Sequence, residues 1–150
     1  MTSAMNATDN LRRQHDAALA MSDRLFDLID SHDDGRDTNA IALQLNKLVG
    51  LLRIHLAQED VQLYPELIVS PDQDVARLAR SYAKEMGGLA IELEIFAQHW
   101  SCSASIVGNF EEFREEANAL LLKLAVRIER ENRYLYPLAD AAMALKRKAA

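Results

Sequence analysis

Little in this chain can staple it, kink it or make it basic, and each shortage removes a class of protein. A single cysteine, Cys102, among 150 residues cannot close an internal disulfide, which fits a reducing compartment and a cytoplasmic location. Three prolines and five glycines leave few places where a helix must stop. Aromatics are scarce at 6%, and the β-branched and aromatic runs of a sheet protein are missing. Basic residues are outnumbered, 17 Lys and Arg against 23 Asp and Glu, for a formal charge of −6. Without a basic face to displace phosphate counterions, nucleic acid is excluded as the main partner. The one basic cluster, Lys146 to Lys148, suits a solvated helix C-terminus. No charged-then-apolar leader opens the sequence, and no apolar run approaches the roughly 20 residues that span a bilayer, so no membrane role is expected. No Ser/His/Asp order, Gly-rich phosphate loop or Cys-x-x-Cys pair occurs, and an enzymatic role is not expected.

What is present is helical. Hydrophobic residues are 49% and charged ones 27%, enough to bury one core. Leu11, His15, Ala18, Leu25, Phe26 and Ile29 recur at helical spacing and predict a helix from Thr8 or Asp9 to Asp30. Residues 1 to 7 are expected to be disordered, and His32 to lie exposed in the turn that follows the helix. A second helix, capped by Asp37 or Thr38, puts Leu48, Leu51, Leu52, His55, Glu59 and Leu63 on one stripe and should break at Pro65. Ser70-Pro71 reads as the start of a third helix running to Trp100. Its Gly87-Gly88 pair costs about 1 kcal/mol per glycine, which suggests close packing, a bend or nearby function. Ser101 to Asn109 reads as a polar connection, followed by a fourth helix to Tyr134, a break at Pro137 and a short helix from Leu138 to Lys146. The expected fold over residues 8–148 is all-α, an up-down-up-down antiparallel four-helix bundle with a short C-terminal helix.

One phrase is written twice. Asn46, Leu48, Leu52, His55, Glu59, Leu63, Tyr64 and Pro65 return as Asn118, Leu120, Leu124, Arg127, Glu131, Leu135, Tyr136 and Pro137, with only the histidine changed. His55 and Glu59 stand four apart, so one helix face offers an imidazole and a carboxylate to a metal. Arg127 keeps the position but has no lone pair to donate. His15, with a looser counterpart in Met86, should bring all six of these side chains to one level of the bundle.

These residues resemble the hemerythrin-like family of HHE cation-binding domains. The resemblance rests on His15, on His55-Leu-Ala-Gln-Glu59 with Leu63-Tyr64-Pro65, and on Arg127-Ile-Glu-Arg-Glu131 with Leu135-Tyr136-Pro137. It runs over roughly residues 9–140 and implies two irons bridged by carboxylates. Carried over by position, His15, His55, Glu59 and Glu131 are the metal ligands of one iron. The other iron's histidine positions hold Met86, in Glu85-Met86 where Glu-His is common, and Arg127.

Three readings stay open. The first is a metal-binding sensor or regulatory module holding one iron, zinc or manganese ion. The second is a metal-free signalling or protein-interaction module in which Arg127 lies between Glu59 and Glu131 and replaces the ion. The third is a diiron O2- or NO-binding protein, which needs ligands the third helix does not show. Glu85 and Tyr82 could reach the site from its edge, whereas His99 should face away. Met21 and Met143 read as core filler, and Cys102 has no histidine nearby in sequence to activate it. Tyr64 and Tyr136 read as caps at the bundle ends with hydroxyls near water. A protein partner or a second copy would find its surface at Gly87-Gly88 or on the Trp100 face.

Overall fold

The computed structural model describes residues 6–31 and 38–149, and every described element is helical. Helix α1 spans Asp9–Asp30, α2 Thr38–Gln58, α3 Tyr64–Ile68, α4 Gln73–Trp100, α5 Ser103–Gly108, α6 Phe110–Arg130 and α7 Tyr136–Ala149. Helix α1 packs on α2, α2 on α4, α4 on α6, and α6 back on α1, so the four long helices form a closed ring. The spacing read from the sequence holds: α1 buries Leu11, His15, Ala18, Leu25 and Ile29, and α2 buries Leu45, Leu48, Leu52 and His55. Residues 1–5 and the His32 turn lie outside the described residues. Asn6 donates its backbone N–H to the Asp9 carboxylate at 2.8 Å.

The expected breaks at Pro65 and Pro137 are corrected. Each proline follows a π-helical turn, Glu59–Leu63 after α2 and Glu131–Leu135 after α6, and the chain runs on into α3 and α7. The wider turn places Pro65 in the first turn of the next α segment, where its missing N–H leaves no bond unmade. Tyr64 and Tyr136 donate their backbone N–H to Glu59 and Glu131, five residues back. Positions five apart therefore stack on one face, as a regular α-helix would not allow.

Other boundaries shift. Helix α4 begins two residues later than Ser70-Pro71 suggests, with the Asp72 carboxylate accepting from the N–H groups of Asp74 and Val75. The connection after Trp100 contains α5, held by buried Ile106. Gly87 and Gly88 are exposed, and a Cβ on either would meet nothing within 4 Å, so close packing does not explain them. Trp100 is fully buried rather than a docking face: its ring packs edge-on against Phe113 and its Nε1–H donates to Glu116 at 2.6 Å. The span Thr38–Ile68 is, by length and composition, apolar enough to cross a membrane, contrary to the reading of short apolar runs. In this fold it is a bundle helix carrying the buried pair His55 and Glu59.

Two apolar clusters fill the ring. One joins Leu25, Leu45, Leu48, Trp100, Phe113 and Leu121, and the other joins Leu11, Leu63, Tyr64, Met86, Leu135 and Tyr136. Leu56 and Leu89 touch both. A cavity of about 20 Å³ between the helices has an almost wholly apolar lining, broken by His15, His55 and Glu131.

Candidate metal centre

Helix α1 supplies His15, the end of α2 supplies His55, and the two π turns open with Glu59 and Glu131. All four are at least 98% buried, and one donor atom from each lies within 4.8 Å of the other three. Two of the helical turns that carry them are π turns, a distortion frequent at functional sites.

Hydrogen bonds behind the cluster orient every donor. His15 Nδ1 meets Asn132 Oδ1 at 2.8 Å and His55 Nδ1 meets Gln14 Oε1 at 2.7 Å. An amide oxygen only accepts, so each Nδ1 carries a proton, and His55, kept neutral by burial, leaves its Nε2 lone pair free. Gln14 uses its Nε2 to donate to Gln58 Oε1 at 2.8 Å, which fixes its oxygen toward His55. Tyrosine hydroxyls hold the carboxylates crosswise: Tyr64 donates to Glu131 Oε2 at 2.8 Å, and Tyr136 to Glu59 Oε2 at 3.4 Å. The Tyr136 hydroxyl also lies 3.2 Å from His15 Nε2. Burial first, then the adjacent carboxylates, push both phenols above their ordinary range.

What remains is a set of bare acceptors. His55 Nε2, Glu59 Oε1 and Glu131 Oε1 are buried without a hydrogen-bond partner. His55 Nε2 and Glu59 Oε1 stand only 2.6 Å apart, and with the ring proton committed to Gln14 the imidazole has none to donate to Glu59. His15 Nε2 lies 3.4 Å from Glu131 Oε1. Two imidazoles and two carboxylates facing one point make an N2O2 set of the kind that takes iron, zinc or manganese. The residues fit a divalent cation.

Without a cation, protonation balances the site. Burial, then the charge of Glu131, pushes the Glu59 carboxyl up to about 11. Burial also works to raise Glu131, but contacts from His15, Glu59 and Tyr64 hold it below its ordinary value. The pair thus shares one proton, seated on Glu59. Burial, then His15, lowers His55 to about 4 and keeps it neutral.

The proton removes the need for Arg127 between the glutamates, and the structure places its guanidinium elsewhere. Arg127 Nη2 lies 2.9 Å from Glu85 Oε2 and donates to the Tyr82 carbonyl at 3.1 Å, and its Cζ lies 4.3 Å over the Tyr82 ring. Glu85 is half-exposed, so this cation pairs where desolvation costs less than it would between two buried acids. Glu85 and Tyr82 are accordingly partners of Arg127 and not the edge of the donor cluster. Met86 lines the cavity with His15, His55 and Glu131, whereas Arg127 lines the outer groove between α4 and α6. His99 is exposed and stacked on Trp100, away from the centre.

Tyr64 and Tyr136 are buried at the centre and do not cap bundle ends near water. Gln14 and Asn132 had no visible signal beyond adjacency to His15 and Glu131. Replacing either amide by leucine should lower metal affinity by about 10–100-fold, read by competition with a chromophoric chelator. An unchanged affinity would show that these amides do not set the ring orientation.

Compared with known families, residues 6–139 match the model described as the hemerythrin HHE cation binding domain. No curated protein and no solved structure matches the chain.

Proposed function

The chain belongs to the hemerythrin HHE cation-binding family, and from that premise we propose that it binds a single divalent ion, iron first, and serves as a sensor or regulatory module rather than an enzyme. Four buried donor atoms within 4.8 Å of one another carry this reading. His15, His55, Glu59 and Glu131 would hold the ion, whose charge would let both carboxylates ionise together. A second ion lacks its histidines, since Met86 and Arg127 occupy those positions. The ring of contacts among α1, α2, α4 and α6 supports an up-down-up-down bundle. Helix α4 supplies no donor, so occupancy would tie α1, α2 and α6 together and leave α4 the freest to respond.

The residues' own part is to exchange a proton for charge. Glu59 would release its proton on loading, while the Nδ1–H bonds of His15 and His55 to Asn132 and Gln14 already fix both rings. Iron(II), zinc or manganese added anaerobically to chelator-treated protein should bind at one per chain with about one proton released. Calorimetry in buffers of different ionisation enthalpy counts that proton, and elemental analysis counts the ion. At 100-fold excess over Kd the folded state should gain about 2.7 kcal/mol. The metal-free module reading is favoured instead if the melting temperature does not move. Two ions per chain would restore the diiron reading.

A further inference from the structure

A second site lies outside the donor cluster, on the opposite side of Leu89. That residue lines both the inner cavity and an open groove of about 480 Å³ between α4 and α6. Arg127, Arg130 and Lys123 bring three cations to the groove, and Glu85 and Glu92 bring two carboxylates. In a chain of net charge −6, the groove keeps a positive surplus.

The cations are arranged around a carboxylate. Arg127 Nη2 and Arg130 Nη1 converge on one oxygen, Glu85 Oε2, at 2.9 and 2.8 Å, and both guanidinium groups lie over the Tyr82 ring. Arg127 is 96% buried and its Nη1 has no hydrogen-bond partner. Glu85 itself is 46% exposed, so this position is open to solvent. Apolar surface lies alongside: Leu122 and Val126, 65% and 49% exposed, line the same groove as Leu89.

Gly88 supplies an independent observation. It stands inside a 28-residue helix, where glycine costs roughly 1 kcal/mol against alanine. Neither close packing nor a positive φ requires it, because an added Cβ meets nothing within 4 Å. Yet Gly88 lines the groove, and any side chain there would occupy the space. The cost to the helix keeps the groove open.

We propose that this groove binds a small organic carboxylate with an apolar body. Its carboxylate takes the place of Glu85 between Arg127 and Arg130, and its body lies over Gly88 against Leu89, Leu122 and Val126. Paired guanidinium groups suit a carboxylate because their fork of N–H donors matches its two oxygens. Lys123, already paired with Glu92 at 2.9 Å, adds long-range attraction.

Hexanoate is the probe, with acetate as the charge alone and 1-hexanol as the body alone. Titration followed by amide NMR should move the resonances of residues 85–92 and 122–130, with hexanoate binding at least about tenfold tighter than either control. Gly88→Leu should fold with equal or higher melting temperature and weaken hexanoate at least about tenfold. Gly88→Ala gives the same readout on a smaller scale if the leucine variant fails to fold, and Arg130→Gln should also weaken binding. The proposal is overturned if hexanoate leaves the groove resonances unmoved, if acetate binds as well, or if the glycine variants bind as the parent does. None of these outcomes depends on metal occupancy of the donor cluster.

Discussion

The metal-free protein is expected to lose stability as pH rises above neutrality, by up to about 1.4 kcal/mol per pH unit. The sign follows from Glu59, whose carboxyl is raised from 4.5 to about 11 in the fold, chiefly by burial and then by the charge of Glu131. Between those values the folded state holds a proton that the unfolded state has released, so the stabilisation present at low pH is lost as pH rises through that window. His55 acts oppositely: burial lowers it from 6.5 to about 4, so its contribution is present above 6.5 and lost as pH falls toward 4. The two slopes offset one another between 4.5 and 6.5, and the loss above 6.5 belongs to Glu59. Urea unfolding of chelator-treated protein across pH 6 to 9 measures it. Glu59→Gln should flatten the profile, because an amide has no proton to lose. A wild-type profile that is already flat would mean that the acids do not share a proton.

Trp100→Ala should cost about 3–5 kcal/mol, the largest single packing loss expected. Trp100 is fully buried between α4 and α6, edge-on to Phe113 with ring centroids 5.5 Å apart. Its removal opens a cavity and leaves the Glu116 carboxylate without the indole N–H. Trp100→Phe should lose less, since it keeps an aromatic ring and forfeits mainly the hydrogen bond. Denaturant midpoints at constant m-value provide the comparison. A cost below about 1 kcal/mol for the alanine variant would mean that the neighbouring rings collapse into the space.

The sequence made the donors legible because they obey a period. His15 recurs with Leu11 and Ala18 on the buried stripe of α1, and His55 with Leu48 and Leu52 on that of α2, a regularity that 3.6 residues per turn exposes without coordinates. Tyr64 and Tyr136 were hidden by the same rule. In a regular α-helix a residue five positions after a glutamate lies about 140° away from it, so nothing in the period aimed the tyrosines at the acids, and the prolines that follow them suggested bundle ends. The π turns bring them back. Arg127 was placed by charge alone, as the cation two buried acids require. What charge counting left out was the proton on Glu59 and the competing carboxylate of Glu85, both of which depend on burial. The face carrying Trp100 was offered as a partner surface, and Ser101 to Asn109, whose α5 adds Ile106 to the same core as Trp100, was taken for a polar connection.

The crosswise tyrosines bear on how the molecule comes apart. Glu59 is held by Tyr136 and Glu131 by Tyr64, so each half of the repeat carries its own acid and the other half's clasp. A fragment ending near Ile68 would retain His15, His55 and Glu59, yet expose a buried carboxyl with no hydroxyl to meet it. The reciprocal fragment would strand Glu131 in the same way. Each half thus leaves its own acid for the other to clasp, and the duplicated phrase couples the two halves: they are expected to melt together.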